Sequence, residues 1–102
     1  MKRFYKMVEG SFKRFPEGVE PFQMVTRLLE ECGEVASEVN HFEASGVKRL
    51  KHGEPSKAAL AGEIRQAMVA LMQIVVYYSA EEELEKSMNE SLKRMKDENL
   101  ID

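Results

Sequence analysis

The sequence is poor in the residues that several classes of protein require. Its 102 residues include one cysteine and no tryptophan, and 18 acidic residues outnumber 15 basic ones. A single cysteine excludes an internal disulfide and a cysteine-based zinc site, and without disulfides a cytoplasmic location is expected. The acidic surplus argues against a nucleic-acid polymer as partner, because proteins that bind such polymers usually carry a basic excess.

Long apolar runs are also missing. The longest, from Ala67 to Tyr78, is interrupted by Gln73 and falls short of the ~20 residues that a membrane span needs. The first residues are followed by charges and not by an apolar segment, so no signal peptide is expected. These features predict no membrane partner. The length predicts one domain over residues 1–102, because a second hydrophobic core does not fit.

Glycine and proline cluster in two places, at residues 15–21 and 46–55, and separate regions of helical periodicity. The first helix is predicted over about residues 2–15, and the second over about 21–44 with Pro21 at its first position and Gly46 as its stop. The apolar stripe of the first helix is expected at Phe4, Val8, Phe12 and Phe15.

The second predicted helix has apolar residues that recur at spacings of three and four. At ~100° per residue they fill one arc about 120° wide, which is expected to be buried, Cys32 included. His41, near the end of this helix, is expected to cap it or to be solvated. The arc consists of Val25, Leu28, Leu29, Cys32, Val35, Ala36 and Val39.

The C-terminal half predicts two more helices. The third begins near Ser56, a residue that caps helices well, and its second half is apolar nearly all round, so it is expected to be innermost. Ser79-Ala80-Glu81-Glu82 has the form of a capping box that starts the fourth helix, with a stripe of Leu84, Met88, Leu92 and Met95. An all-α four-helix bundle is predicted. Because the other three helices would cover the third helix only poorly, we expect a homo-oligomer, a dimer or a tetramer, to complete the core.

The most informative residues are acidic. Glu31, Glu34 and Glu38 fall on one side of the second helix. Like charges at these spacings repel by a few tenths of a kcal/mol each, and no Lys or Arg at positions 34, 35 or 38 relieves Glu30, Glu31 or Glu34. A divalent cation is therefore a candidate counter-ion. Glu63 and Gln66 lie one turn apart on the next helix. If the two helices pack antiparallel, Glu31, Glu34 and Glu63 could share one pocket; the alternative is a solvated acidic face.

These motifs resemble those of the MazG-like, all-α nucleoside triphosphate pyrophosphohydrolases. That family carries Glu-Glu-x-x-Glu on one helix and Glu-x-x-Asp on the next. The first motif is present as Glu30-Glu31-Cys32-Gly33-Glu34, and the second as Glu63-Ile64-Arg65-Gln66, with Gln66 in the position of the family's Asp. The resemblance extends from Arg14 to Tyr78, about two-thirds of the chain.

The resemblance implies Mg²⁺-dependent cleavage between the α- and β-phosphates of a nucleoside triphosphate, which gives a nucleoside monophosphate and pyrophosphate. Mn²⁺ is an alternative metal. By position, Glu31, Glu34, Glu63 and Gln66 would hold the metal. Glu30, or another of these carboxylates, is the candidate general base. Glu38 could compensate for the charge that Gln66 lacks.

Substrate-binding candidates lie elsewhere in the chain. Lys48, Arg49 and Lys51 form a basic loop that suits a triphosphate, although solvated loop charge explains them equally well. Asn89 and Lys93 resemble polar residues that the family has near its substrate. Two other functions stay open. The chain could be a catalytically weakened nucleotide-binding or assembly protein on the same scaffold, or a purely structural bundle.

Overall fold

The described part of the chain consists of four α-helices. The computed structural model describes residues 1–43 and 53–102, and within them there is no strand. Helix α1 spans Lys2–Arg14, α2 Pro21–Glu43, α3 Lys57–Tyr77 and α4 Glu81–Asp97. The predicted all-α class is therefore confirmed. The helix stop expected at Gly46 lies outside the described residues.

The start of α3 follows the sequence prediction. Ser56 has an extended backbone and is the N-cap, and its hydroxyl accepts a hydrogen bond from the backbone N–H of Ala59 at 3.2 Å. This bond satisfies one of the amide groups that a helix leaves unpaired in its first turn.

The capping box predicted at residues 79–82 is wrong, as the end of α3 shows. Ser79 has a φ of 53° and is the left-handed residue that closes α3. Its N–H bonds to the carbonyl of Val76, and the N–H of Ala80 bonds to that of Val75, which is the Schellman pattern. Helix α4 therefore begins one residue later, with Ala80 as an N-cap that makes no side-chain bond. Ser79 cannot cap α4 because its backbone is used to terminate α3.

The core forms around α3, against which α1 and α2 both pack. Its buried apolar residues are Val8, Met24, Val69, Ala70 and Met72. Gln73 is also buried, and its side-chain amide donates a 2.7 Å hydrogen bond to the hydroxyl of Ser11 on α1. Helix α3 is thus the central element, and one polar contact fixes α1 against it.

Helix α4 is peripheral. It has no buried residue and meets α3 only through a small contact. Of its predicted apolar stripe, Leu84 packs against the core, whereas Met88, Leu92 and Met95 are exposed. Most of the stripe is therefore not covered within one protomer.

Helix α2 is rotated relative to the sequence prediction. Met24, Leu28 and Val35 turn toward α3 and away from solvent, and Glu31 and Glu38 are half-buried on the same side. The predicted arc shares Leu28 and Val35 with this side, but its centre lies about 80° further around the helix. Its other five residues are exposed: Leu29 is 66% exposed, and Val25, Cys32, Ala36 and Val39 are also exposed. The expectation that Cys32 is buried is therefore wrong, and Phe15 at the end of α1 is exposed in the same way.

By length and composition, α3 could cross a membrane, and it is the one helix in residues 1–43 and 53–102 for which this holds. The central helix of a helical core has the same character. In this chain α1 and α2 pack on α3, and α3 carries Glu63, Arg65 and the buried Gln73. We therefore interpret α3 as a core helix.

Candidate functional site

A cluster of acidic side chains lies between α2 and α3. Glu63 of α3 is half-buried, and loss of water around it raises the pKa of its carboxyl. The charges of Glu34, Glu31 and Glu38 on α2 raise this pKa further, and Arg65 partly opposes them. Glu31, Glu34 and Glu38 on α2 therefore lie near enough to Glu63 on α3 for their charges to act on it.

Gln66 joins the two sides of this cluster. Two carboxylates, which only accept hydrogen bonds, face the end of its side chain. The amide nitrogen, and not the amide oxygen, is therefore assigned to the position that faces them. The nitrogen donates to Glu31 Oε2 at 2.9 Å and to Glu63 Oε2 at 3.2 Å. In this arrangement a neutral amide holds together two carboxylates that would otherwise repel each other.

The residues predicted as metal ligands are therefore close together, but they do not form a finished metal site. Glu31, Glu63 and Gln66 are in contact, and Glu34 and Glu38 are near enough to shift the pKa of Glu63. Within residues 1–43 and 53–102, no group of three or more His, Cys, Asp or Glu side chains is arranged to hold a metal ion.

The candidate base Glu30 faces a different surface. It is exposed and lines a groove of about 640 Å³ with Phe15, Phe22 and Arg27. Glu38, and not Glu30, lies near Glu63, and it contributes to the raised pKa of Glu63.

The predicted substrate residues fall into two groups. Asn89 and Lys93 line a groove between α4 and Tyr5 of α1. This groove shares no lining residue with the groove that contains Glu31 and Gln66, so within one protomer the two sets are not brought together. Lys48, Arg49 and Lys51 lie outside the described residues.

The surroundings of His41 differ from those that the sequence predicted. It is 8% exposed and not solvated, and its Nε2 lies 2.7 Å from the carbonyl oxygen of Gly53. Because a carbonyl only accepts, Nε2 carries the proton. The contact ties the end of α2 to the residues before α3, and together with the Glu31–Gln66 bond it shows that the helices run antiparallel. Glu38 and His41 have the spacing Glu-x-x-His. This spacing is the sequence signal that could have marked His41 as part of the side of α2 that faces α3.

Comparison of the chain with protein-family models, with curated proteins and with solved structures finds no match.

Proposed function

We propose that the protein is a Mg²⁺-dependent nucleoside triphosphate pyrophosphohydrolase with a MazG-like fold. The observation that carries the proposal is the convergence of Glu63 on α3 with Glu31, Glu34 and Glu38 on α2. A cluster of four carboxylates, whose effect on Glu63 Arg65 opposes only in part, favours a hard divalent ion. The all-helical architecture is compatible with the fold that the motifs predict. A cytoplasmic location is part of the proposal.

The residues present fit a magnesium ion. Oxygen ligands at neighbouring positions around octahedral Mg²⁺ lie about 3 Å apart, since each Mg–O distance is about 2.1 Å. The end of the Gln66 side chain lies at comparable distances from Glu31 Oε2 and Glu63 Oε2, 2.9 and 3.2 Å. A half-turn of the amide would replace its nitrogen with its oxygen, which would then lie at these distances from one oxygen of each carboxylate. Water supplies the remaining ligands, as is usual for Mg²⁺. Mn²⁺, which also takes oxygen ligands, could substitute.

In the proposed reaction, the oxygen of a water molecule bonds to the α-phosphorus, and the bond from that phosphorus to the bridging oxygen breaks. Its electron pair leaves with pyrophosphate, and the proton of the water passes to a carboxylate. The bound metal would neutralise phosphate charge and orient the water. We favour Glu38 over Glu30 as the base, because Glu38 lies near Glu63, whereas Glu30 is exposed and lines a groove that contains neither Glu31 nor Gln66.

The test is release of pyrophosphate from a panel of ribo- and deoxyribonucleoside triphosphates in the presence of Mg²⁺. We expect at least one substrate to be cleaved, and Glu63→Gln to reduce the rate by about 100-fold or more, because a metal ligand contributes several kcal/mol to transition-state stabilisation. Glu17→Gln, in the connection between α1 and α2, is the control and should keep the wild-type rate. No release from any substrate, with the metal shown to be bound, would exclude the enzyme.

A second function is favoured by the Gln66 amide. Because its nitrogen donates to Glu31 and Glu63, the amide offsets part of the repulsion between these two carboxylates without a metal. A nucleotide-binding or assembly protein that has lost catalysis would show this property. Gln66→Asp distinguishes the two. A large increase in hydrolysis from an undetectable level would identify the native chain as a retired enzyme, whereas measurable wild-type turnover would support the enzyme.

We also propose that the protein is a homo-oligomer, a dimer or a tetramer. The radius of gyration is 17.0 Å, against about 13 Å for a compact domain of this length. The accessible surface is 7884 Å², against about 5,900 Å² for a compact monomer of this mass. The excess is comparable to what one subunit of an obligate dimer buries.

The apolar residues that lie outside the core suggest where a second copy binds. Phe22, Val25, Leu29, Cys32, Ala36 and Val39 are exposed on one side of α2. Their spacings alternate between three and four, which is the periodicity of a seam between two helices. We call these six residues the α2 stripe, and we propose that it packs against a second copy of this chain.

A further inference from the structure

Three arginines from three different helices line one groove. Arg14 ends α1, Arg27 lies on α2 and Arg65 on α3. The groove has a volume of about 550 Å³, and Glu31 and Gln66 also line it. It therefore borders the carboxylate cluster directly. None of these arginines was singled out by a sequence motif, since they are far apart along the chain.

None of the three guanidinium groups forms an ion pair within residues 1–43 and 53–102, although the charge of Arg65 acts on Glu63. The two ion pairs formed there, Lys13–Glu9 and Lys86–Glu90, involve none of them. The guanidinium of Arg27 instead lies over the ring of Phe15, 5.7 Å from its centre, a cation–π contact that holds it at the edge of the groove. Three cations around one groove repel each other, so an anion bound between them would be favoured.

We infer that this groove binds the phosphate chain of a nucleotide, and that pyrophosphate alone is sufficient to occupy it. Guanidinium groups match phosphate in geometry, because each presents two parallel N–H donors, and they remain charged at any physiological pH. The hydroxyl of Ser11 also lines the groove; it accepts a hydrogen bond from Gln73, and because accepting does not use its own proton, it could donate to a phosphate oxygen beside the arginines.

This inference rests on the proposed function for its role in the reaction. Glu31 and Gln66 belong both to the carboxylate cluster and to the groove. A phosphate chain that starts at the cluster therefore extends into the arginines, which receive the leaving pyrophosphate. The negative charge that gathers on pyrophosphate as the α–β bond breaks would be stabilised there.

The experiment is calorimetric titration of the full chain with inorganic pyrophosphate, with and without Mg²⁺. Arg14→Gln and Arg65→Gln each remove one charge from the groove. Arg3→Gln removes the same charge from the first turn of α1, outside the groove, and is the matched control. We expect each groove variant to weaken binding by about 10-fold or more, and the control to bind as the wild type does.

Folding and charge are controlled separately. Circular dichroism checks that each variant melts as the wild type does, and Arg14→Lys and Arg65→Lys keep the charge but lose the paired donors. Partial recovery of affinity in the Lys variants supports the guanidinium geometry. Equal effects of Arg3→Gln and the groove variants would overturn the inference, as would no binding of pyrophosphate.

The inference and the proposed function can fail independently. If pyrophosphate binds through the arginines while no triphosphate is hydrolysed, the groove is supported and the enzyme is not. If triphosphates are hydrolysed and the Gln variants keep the wild-type KM and kcat, the enzyme is supported and the groove is overturned.

Discussion

Glu63 shows how the packing of two helices changes a single carboxyl group. Its pKa is raised above the ordinary value of 4.5 by loss of water and by Glu34, Glu31 and Glu38. The folded chain therefore binds a proton at Glu63 more readily than the unfolded chain does. It follows that the contribution of Glu63 to stability decreases as the pH rises from about 4.5 through the raised pKa.

We predict that Glu63→Gln raises the melting temperature of the metal-free protein at pH 7, because the variant removes one of four facing carboxylates. It should also reduce the loss of stability between pH 4.5 and pH 7. Thermal melts at several pH values in the presence of a chelator measure both effects. Glu17→Gln is the control, and melting curves of Glu63→Gln that shift with pH as the wild type does would contradict the prediction.

The sequence predicted part of the residue-level site. Helical spacing was enough to group Glu31 with Glu34, and Glu63 with Gln66, and the structure brings Glu31, Glu63 and Gln66 into contact. The arginine groove could not be predicted in this way. Arg14, Arg27 and Arg65 belong to three helices, and their convergence depends on how those helices rotate and cross, which spacing along one helix does not describe.

At the level of the helices, the junction between α3 and α4 makes a clear prediction. Ser79 has a φ of 53°, a conformation that costs a residue with a side chain about 1–2 kcal/mol, whereas glycine adopts it freely. After allowance for the greater flexibility of glycine in the unfolded chain, Ser79→Gly should stabilise the protein by about 0.5–1 kcal/mol.

Chemical denaturation measures this change. Ser87→Gly introduces the same substitution in the middle of α4, where glycine should destabilise by about 0.5–1 kcal/mol. Opposite signs for the two variants are expected. A destabilising effect of Ser79→Gly would show that the junction does not have the left-handed backbone in solution.

The orientation of α2 shows why a periodic pattern can predict a helix and still assign the wrong buried face. Met24, Leu28 and Val35 share one side with Glu31 and Glu38, while Val25, Leu29 and Val39 share a more apolar side. The apolar side is the stronger candidate by composition, but within the protomer α3 packs against the mixed side. Gln66 on α3 donates a hydrogen bond to Glu31, one of the two half-buried acids of this side. The sequence of α2 alone does not reveal this contact.

For the molecule as a whole, the α2 stripe predicts that association depends on apolar contact. Leu29 is 66% exposed, so Leu29→Lys should leave the fold of the protomer intact but place a charge in the proposed interface. We expect the wild type to sediment as a dimer or a tetramer, and Leu29→Lys to sediment as a smaller species at the same concentration.

Gln23→Lys is the matched control, because Gln23 is exposed on α2 well away from the α2 stripe, and it should assemble as the wild type does. Circular dichroism confirms that both variants retain their helices. A wild-type protein that sediments as a monomer at tens of micromolar would contradict the proposed oligomer and leave the exposed apolar residues without a partner.

The position of Gln66 has one further consequence. An amide group has nearly the same shape whichever way its nitrogen and oxygen point, so a half-turn about its last bond exchanges a hydrogen-bond donor for a metal ligand while the backbone stays still. If the cluster binds the proposed metal ion, the protein could thus pass between a metal-free and a metal-bound state at almost no cost in packing. An aspartate at this position would hold the ion more strongly, but it would leave the empty site with one more uncompensated charge.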